Sequence, residues 1–524
     1  MMHSRRFRAF FPTSALAACF AVALGGACAG SDEVTALPDA PSDDGTRTAV
    51  ACKPGTTKLC YDGPEASRDV GVCHSGITTC LPDGSAFGPC EEQTTPAIET
   101  CATPGDDDCN GSTECEGVYV WAKSFGDDMD QLGSRAAVDA QGFIALAGTF
   151  SGEIDLGGGP LKAPAGTEDG FVAKLAPTGE HVFTYPLAGR ALDVAVDHEG
   201  SVFVASLEGT CSITKISKFG TPVWTKEVGG EPSMTMRLAV DSEGNVIAAG
   251  RISTVSLDFG GGPVALLGGG DAYVAKLSGS GNHIFSKTYG DAGAQQADSV
   301  AIDAEGTIYV TGRFDGTIDI GGSPLQSLTA PDLFVAKLSA DGSPVWAKGL
   351  FGDTAFDYAG DIGVDHNGDV LVTGSFAGNM SFDAQTMKSP DNVESLFVAK
   401  FNGSSKALWM KHFPGQKGSS NLAVDGGGNL FLTGVIDEPM DFGGGAIGEG
   451  GEGYVAKLDA AGGHLWSKPF QLGKGLSTRD FMAATDAAGF MLVVTGLYQG
   501  SADFGGPALT SEGQHDIFVT RLTP

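Results

Sequence analysis

Positive charge is what this sequence has least of. Its 524 residues include 32 Lys and Arg against 64 Asp and Glu, which gives a formal net charge of −32 at pH 7. Binding to the phosphates of nucleic acids or of anionic lipids needs clustered Lys and Arg. We therefore expect no nucleic acid among the partners of this protein, and no membrane contact that depends on surface charge.

Catalytic signatures are also missing. The chain contains nine His, but no His-x-x-x-His zinc pattern and no Gly-x-Ser-x-Gly nucleophile pattern. Residues 443–448 match GxGxxG by letters, but they do not open a helix after a strand, so we do not predict a nucleotide site there. The sequence favours a protein that is not an enzyme, although a catalytic set assembled from distant segments stays open.

A repeated unit fills most of the chain. Its most regular mark is Asp-x-x-Gly, and the Asp residues of its seven copies are Asp139, Asp197, Asp241, Asp303, Asp365, Asp425 and Asp486. An aromatic-Val-Ala-Lys run ends, with some variation, at Lys174, Lys215, Lys276, Lys337, Lys400, Lys457 and Arg521. A Trp-x-Lys mark begins at Trp224, Trp346, Trp409 and Trp466, with Phe285 in the same slot. Such self-similarity predicts a repeat architecture.

Each unit reads as four short strands. In one copy, the predicted strands 300–303 and 307–311 flank an Asp-x-x-Gly turn, and strands 333–338 and 344–348 follow. The turn suits a tight hairpin, because Asp accepts local backbone hydrogen bonds and Gly takes a positive φ. Units of about 40–60 residues with four strands each are typical of propeller blades.

The two ends of the repeat region complement each other. The last copy stops after its third strand, and residues 118–126 read VYVWAKSFG, which is an isolated fourth strand. A closed ring completed by this N-terminal strand explains both ends. The chain thus resembles the seven-bladed β-propeller repeat family of secreted bacterial proteins, a resemblance that covers 117–524 and implies a fold rather than a function.

The repeated polar residues are best interpreted as structural. Seven cations at one blade position could ring an anion, but in so acidic a chain we expect each stem to pack along a neighbouring blade and its head to meet a carboxylate. The recurring Asp-Phe-Gly-Gly-Gly segments are expected to form bulged turns. Cys211 is predicted to be a buried thiol.

The N-terminus reads as an export signal. Residues 1–27 combine a basic start with an apolar stretch of small residues, and no acidic residue occurs before Asp32. Cys28 closes this stretch and is the predicted lipidation site, with Cys19 as the alternative. Ordinary secretion and an uncleaved anchor stay open. Residues 28–51 are polar and predicted to be a disordered tether.

Eight of the eleven cysteines fall within residues 52–116. They are Cys52, Cys60, Cys73, Cys80, Cys90, Cys101, Cys109 and Cys115. An even number in an exported chain indicates a disulfide framework of four bridges, whose pairing the sequence leaves open. A segment this short and polar needs such bridges because it cannot bury a sufficient core.

A possible metal ligand set lies inside this Cys-rich module. Asp106, Asp108 and Asn110 are spaced like the first three ligands of a calcium loop, with Gly111 at the turn and Glu114 available downstream. The segment resembles a metal-binding motif of secreted bacterial proteins, which implies a hard cation, with calcium the first choice. An Asp-rich turn without metal is the alternative. No other cofactor is expected.

Together these features predict an all-β protein with four parts: a signal peptide (1–27), a tether (28–51), the Cys-rich module (52–116) and a seven-bladed propeller (117–524). We expect a monomeric, lipid-anchored binding or scaffold protein of the cell envelope, in the outer membrane or at the cell surface, or else an extracellular protein. Its ligand would be a protein or a glycan. The alternative is a secreted propeller enzyme that acts on polysaccharide, for which convergent acids or histidines at the channel mouth would be required.

Overall fold

The fold was analysed in a computed structural model, which describes residues 52–63, 68–95 and 116–524. Short gaps within the last range comprise 231–234, 254–256, 322, 329–330, 355–356, 384, 391–392, 417, 419, 474–480, 487–488 and 490. The contacts divide the chain into two units, 1–60 with 76–93, and 61–75 with 94–524. The described residues form no α-helix. None of their segments is a helix long and apolar enough to cross a membrane.

The first unit is a small disulfide-bonded hairpin. Its strands β1 (Thr57–Cys60) and β2 (Gly76–Thr79) pair antiparallel. One disulfide joins Cys52 to Cys80 and a second joins Cys60 to Cys90. These bridges confirm the disulfide prediction for the cysteines concerned.

The second unit is a propeller of seven blades, each with four antiparallel strands, and the outermost strand of the fourth blade pairs further with a small hairpin, so that this sheet has six strands. The strands of each blade are given from the innermost outward. Blades 1 to 3 consist of β4 Gln131–Val138, β5 Ile144–Phe150, β8 Asp169–Leu175 and β9 His181–Leu187 (blade 1), β10 Arg190–Val196, β11 Val202–Glu208, β12 Thr210–Ile216 and β13 Pro222–Gly229 (blade 2), and β14 Met236–Val240, β15 Val246–Ile252, β16 Asp271–Leu277 and β17 His283–Tyr289 (blade 3).

Blades 4 and 5 consist of β18 Gln295–Ile302, β19 Ile308–Phe314, β22 Asp332–Leu338 and β23 Pro344–Gly352 (blade 4), and β24 Tyr358–Val364, β25 Val370–Phe376, β28 Ser395–Phe401 and β29 Ala407–Pro414 (blade 5). Blades 6 and 7 consist of β30 Asn421–Val424, β31 Leu430–Val435, β34 Gly453–Leu458 and β35 His464–Phe470 (blade 6), and β36 Met482–Thr485, β37 Leu492–Tyr498, β40 Asp516–Leu522 and β3 Tyr119–Phe125 (blade 7).

The N-terminal strand closes the ring. β3 lies beside β40 as the outermost strand of blade 7, with Tyr119 opposite Leu522 and Phe125 opposite Ile517. The N–H of Gly117 also donates to the carbonyl of Thr523, 2.8 Å away. The closure predicted from the two incomplete ends is thereby confirmed.

Small hairpins connect the second and third strands of five blades. They are β6–β7 (Glu153–Ile154, Leu161–Lys162), β20–β21 (Thr317–Ile318, Leu325–Gln326), β26–β27 (Asn379–Phe382, Gln385–Lys388), β32–β33 (Met440–Asp441, Ala446–Ile447) and β38–β39 (Ser501–Ala502, Leu509–Thr510). In blade 2 this connection shrinks to Gly209 alone, between β11 and β12. Blade 2 is therefore the one blade without an insert on this side.

The core lies between the blades. Each of the seven junctions holds one apolar cluster with side chains from both neighbouring blades. Strands such as β5 and β25 are buried along their whole length because a neighbouring blade covers each face. Cys211 is fully buried in the junction of blades 2 and 3, and burial raises the pKa of its thiol to about 11.

Candidate functional site

The repeated Asp of each unit has two structural roles. In blade 1, Asp139 Oδ1 accepts the backbone N–H groups of Gln141 and Phe143, which fixes the hairpin as the sequence predicts. Asp139 Oδ2 lies 2.8 Å from Lys174 Nζ, and both side chains are at most 3% exposed. Equivalent pairs are Lys215–Asp197, Lys276–Asp241 and Lys400–Asp365.

The other cations of this series have different partners. Lys337 lies over the Tyr309 ring, Lys457 lies 3.3 Å from Glu116, and Arg521 donates to the carbonyl of Pro177. The cations are therefore used within the fold, which supports the structural interpretation over an anion-binding ring.

The Trp-x-Lys mark joins neighbouring blades. Trp224 Nε1 donates to the carbonyl of Gly279 in the next blade at 3.0 Å, and the ring packs against Gly281. The same donation occurs from Trp121 to Pro177, from Trp346 to Gly403 and from Trp409 to Ala460. This aromatic position therefore stabilises the junctions.

The glycine-rich segments pack on histidine rings. In blade 3, Asp258 Oδ1 accepts the N–H groups of Gly260 and Gly262, and a Cβ on Gly261 would lie 2.2 Å from Cε1 of His283. The equivalent contacts join Gly158 to His181 and Gly444 to His464. Close packing on the His464 ring thus accounts for Gly444, and Asp441 Oδ1 accepts the N–H groups of Gly443 and Gly445 as Asp258 does in blade 3.

With the constant positions used by the fold, the central channel is the candidate site. The innermost strands of the blades surround a cavity of about 920 Å³. One residue per blade, four positions before the repeated Asp, lines its wall. We call this set the channel belt: Arg135, Asp193, Arg237, Ser299, Asp361, Asn421 and Met482.

The chemistry of the belt changes from blade to blade, whereas the wall residues two positions further along the innermost strands are small. Charged residues occupy four of the five belt positions in blades 1 to 5, and neutral residues occupy those of blades 6 and 7. Two positions further along, the cavity wall contains Ala137, Ala195, Ala301, Gly363, Ala423 and Ala484. The channel therefore combines an asymmetric polar belt with a wall that leaves space.

Part of the belt connects neighbouring blades. Asp193 Oδ2 accepts the N–H of Leu238 at 2.8 Å, and Asp361 Oδ2 accepts the N–H of Leu422 at 3.2 Å. Asn421 Nδ2 donates to the carbonyl of Phe481, 2.8 Å away. Each bond runs from the innermost strand of one blade to the next blade, so the belt is held in a fixed arrangement.

An Arg–Asp network crosses the wall between blades 2 and 4. Arg237 donates to the carbonyls of Leu192 and Asp298. Arg313 binds the Asp298 carboxylate through two nitrogens, at 3.0 and 3.2 Å. Burial raises the pKa of Asp298, although the charge of Arg313 acts to lower it. Burial likewise raises the pKa of Asp193, although the charge of Arg237 acts to lower it.

These contacts limit what the channel can do chemically. Glu394, the remaining acid on the wall, accepts hydrogen bonds from Ser375 Oγ and the N–H of Gly418, both at 2.7 Å. Among the described residues that line the cavity there is no His, Cys or Lys. Each acid described on the wall therefore accepts at least one hydrogen bond from within the protein.

The residues predicted to bind metal or lipid lie outside the described part of the chain. The predicted metal ligands are Asp106, Asp108, Asn110 and Glu114, and the predicted lipidation site is Cys28. Three of the disulfide candidates, Cys101, Cys109 and Cys115, also lie outside the described residues. Cys73 is described and disulfide-bonded. In the ranges that the structure describes, no group of three His, Cys, Asp or Glu side chains could hold a metal ion.

The sequence analysis missed the channel belt. Its members share only their offset from the repeated Asp, and their side chains differ, so a search for repeated chemistry passes over them. Variation at a fixed offset within a constant repeat is the pattern that could have revealed them.

Comparison with known proteins adds little beyond the fold. No protein-family model matches the chain. It is 24% identical over 163 residues to the uncharacterised WD repeat-containing protein L264 of Acanthamoeba polyphaga mimivirus, an alignment that covers 28% of this chain and only 12% of that protein. BamB from Moraxella catarrhalis is 13% identical with a TM-score of 0.37, over 78% of this chain and 99% of that one. Quinohemoprotein alcohol dehydrogenase from Comamonas testosteroni is 13% identical with a TM-score of 0.36, over 76% of each chain. Similarities this low carry no argument about activity or ligand.

Proposed function

We propose that this protein is an exported binding protein, held at the cell envelope by a lipid on Cys28, whose propeller binds a protein or glycan ligand at the central channel. The observation that carries the proposal is the channel belt. The constant residues of the repeat form contacts that build the ring. The belt surrounds an open cavity of about 920 Å³, and its residue type changes from blade to blade, although Arg and Asp each occur twice.

The chemistry of the belt favours a polar ligand that offers both donors and acceptors of hydrogen bonds. Arg135 and Arg237 line the cavity in blades 1 and 3, and Asp361 and Asn421 line it in blades 5 and 6, so that the wall combines cationic, anionic and amide groups. A glycan or a peptide loop has this mixed character. Hydrolysis of polysaccharide, the alternative, would need two carboxyl groups that serve as acid and base, and each acid described on the wall already accepts hydrogen bonds.

The binding function is tested with the soluble form that begins after Cys28, screened on a glycan array and against an array of cell-envelope peptides. The proposal predicts saturable binding to a restricted set of probes. If a broad array shows no saturable binding while the protein cleaves polysaccharide, the enzyme alternative is correct instead.

The lipid anchor and the metal site are separate parts of the proposal. Metabolic labelling with palmitate should mark the parent and not Cys28→Ser; loss of the label only in Cys19→Ser would place the anchor elsewhere. Calcium is proposed at Asp106, Asp108 and Asn110, with Glu114 nearby, and weak binding, on the order of 10⁻⁴–10⁻³ M, is expected for an extracellular module. Equal heats of calcium titration for the soluble parent and an Asp106→Ala/Asp108→Ala variant would exclude this site.

A further inference from the structure

Two of the connections between blades carry the same buried glutamine. The segments 126–131 and 290–295 both read Gly-Asp-x-x-x-Gln. Gln131 and Gln295 are fully buried, and the amide of Gln295 donates to Asp291 Oδ1 at 2.8 Å and to the carbonyl of Asp315 at 2.7 Å. Gln131 donates in the same way to Asp127 Oδ1.

Each glutamine also meets the aspartate that begins the third strand of the preceding blade. A Cβ on Gly290 would lie 2.0 Å from Asp271 Oδ1 and 2.5 Å from Gln295 Oε1. The glycine thus leaves space for two buried side chains, one amide and one carboxylate. The amide is suited to this place because it can donate to one carboxylate while it lies beside the other.

Between blades 4 and 5 the glutamine is replaced by an aspartate. Residues 352–357 read Gly-Asp-x-x-x-Asp, and Asp357 is fully buried. Neither of its carboxylate oxygens has a hydrogen-bond partner. A Cβ on Gly352 would lie 1.6 Å from Asp357 Oδ2, so this side chain occupies the place that the glutamines fill in the other two connections.

The groups that face Asp357 are themselves acidic. Asp332, at the start of β22, is fully buried and accepts the N–H of Gly352 at 3.0 Å. Asp353 lies at the beginning of the connection. It accepts hydrogen bonds from the backbone N–H and the side-chain amide of Asn379, and these bonds and the charge of Lys388 lower its pKa. Among the described residues, the charged neighbours that raise the pKa of Asp357 are Asp332 and Asp353, which are both acids.

We propose that the connection between blades 4 and 5 holds one proton, on the Asp357 carboxyl group, at neutral pH. An ionised Asp357 would place an unsatisfied charge between two other carboxylates, whereas a protonated Asp357 can donate a hydrogen bond as the glutamine does. Burial, followed by the charges of Asp332 and Asp353, raises the pKa of Asp357 to about 8.

The proton contributes to stability in a defined pH range. In the unfolded chain Asp357 ionises near its ordinary pKa of 3.8, and in the folded protein near 8. Between these values the folded state binds one proton more than the unfolded state, so the stability of the fold decreases as the pH rises through this range. Above about pH 8 this contribution no longer changes, because both states have then lost the proton.

This connection leads directly into the channel wall. Tyr358 follows Asp357, lines the cavity, and has the Arg313 guanidinium 5.8 Å from its ring centre. Arg313 in turn binds Asp298. The contact of the Tyr358 ring with Arg313 therefore joins the residue next to Asp357 to the Arg–Asp network on the channel wall.

The test replaces Asp357 by the residue that the other two connections carry. In Asp357→Gln, we expect the Tm to exceed that of the parent by an amount that grows between pH 5 and pH 8 and then becomes constant. The infrared band of a protonated carboxylic acid, seen in the parent at pH 7, should be absent from the variant. Parallel Tm profiles for parent and variant, with no difference in this band, would overturn the proposal.

Two controls keep the outcome specific. Gln295→Asp, which creates the same pair of acids between blades 3 and 4, should add a second decrease in Tm over the same pH range. The profiles are also measured with calcium and with a chelator. If calcium raises the Tm of the parent at pH 8 and not that of Asp357→Gln, the acids hold a cation and the proposal of a proton on Asp357 is wrong.

Discussion

At the scale of single residues, the repeated Lys and Asp form ion pairs that differ greatly in exposure. Lys174 and Asp139 are almost completely buried, whereas Lys162 and Glu153 form a pair at 2.6 Å whose side chains are 71% and 42% exposed. Removal of one partner from a buried pair leaves an uncompensated charge, but an exposed pair contributes little.

The first prediction concerns Lys174→Met. We expect it to lower the free energy of unfolding by about 3–5 kcal/mol, because Asp139 remains buried without its cation. Lys162→Met is the matched control and should change stability by no more than about 0.5 kcal/mol. Urea unfolding of both variants measures the difference. Similar small losses in both would mean that the buried pairs do not hold the blades together.

The sequence revealed one of the two roles of these residues. The hairpin function of the repeated Asp follows from local turn chemistry, which depends on residues adjacent in the chain. Its pairing with the Lys of the third strand depends on how the strands lie beside each other, and for blade 4 the pattern fails because Tyr309 OH donates to Asp303 instead. The side chains of the channel belt are equally set by position in the ring rather than by local sequence.

At the scale of elements, the outermost strand of blade 7 decides whether the ring is closed. β3 pairs with β40 along most of its length, and Trp121 donates to Pro177 in blade 1. Without β3, the backbone groups of β40 would form an open edge on the outer side of blade 7. Open edges of this kind promote pairing with other chains.

The second prediction is that deletion of 118–126 lowers the Tm sharply and produces aggregates that form through the exposed β40. Val120→Ser, at a solvent-facing position of the same strand with 41% exposure, should melt like the parent. Calorimetry and size-exclusion chromatography distinguish the two variants. A deletion variant that is monomeric and melts with the parent would rule out this closure.

The arrangement of the elements was largely predictable, because complementary incomplete ends are a property of the whole sequence. The five small hairpins between second and third strands were not foreseen. Their strands have two to four residues, too few for an alternating pattern to be read. The single-residue turn at Gly209 explains in retrospect why the second repeat is the shortest.

At the scale of the whole molecule, constant and variable residues have different tasks. Repeated Asp, Lys, Trp and Gly positions hold seven blades together, and they occur wherever the ring needs the same contact. The belt residues line the cavity, and their chemistry differs from blade to blade. The fold could therefore be predicted from the repeated residues. The ligand could not, because the proposed binding depends on the channel belt, whose residues are not repeated.

The measurement that tests this account most directly is ligand binding after the channel is filled. Ala301 lines the cavity, and Ala301→Trp adds a bulky side chain there. Leu408→Trp adds the same side chain on β29, the outermost strand of blade 5, where Leu408 is 47% exposed. The Tm of each soluble variant is first compared with that of the parent, to show that the variants are folded. All three proteins are then tested on the same glycan and peptide arrays. We predict that Leu408→Trp keeps the probes of the parent and that Ala301→Trp loses them. Unchanged binding by folded Ala301→Trp would contradict the account, because the ligand would then be recognised outside the channel.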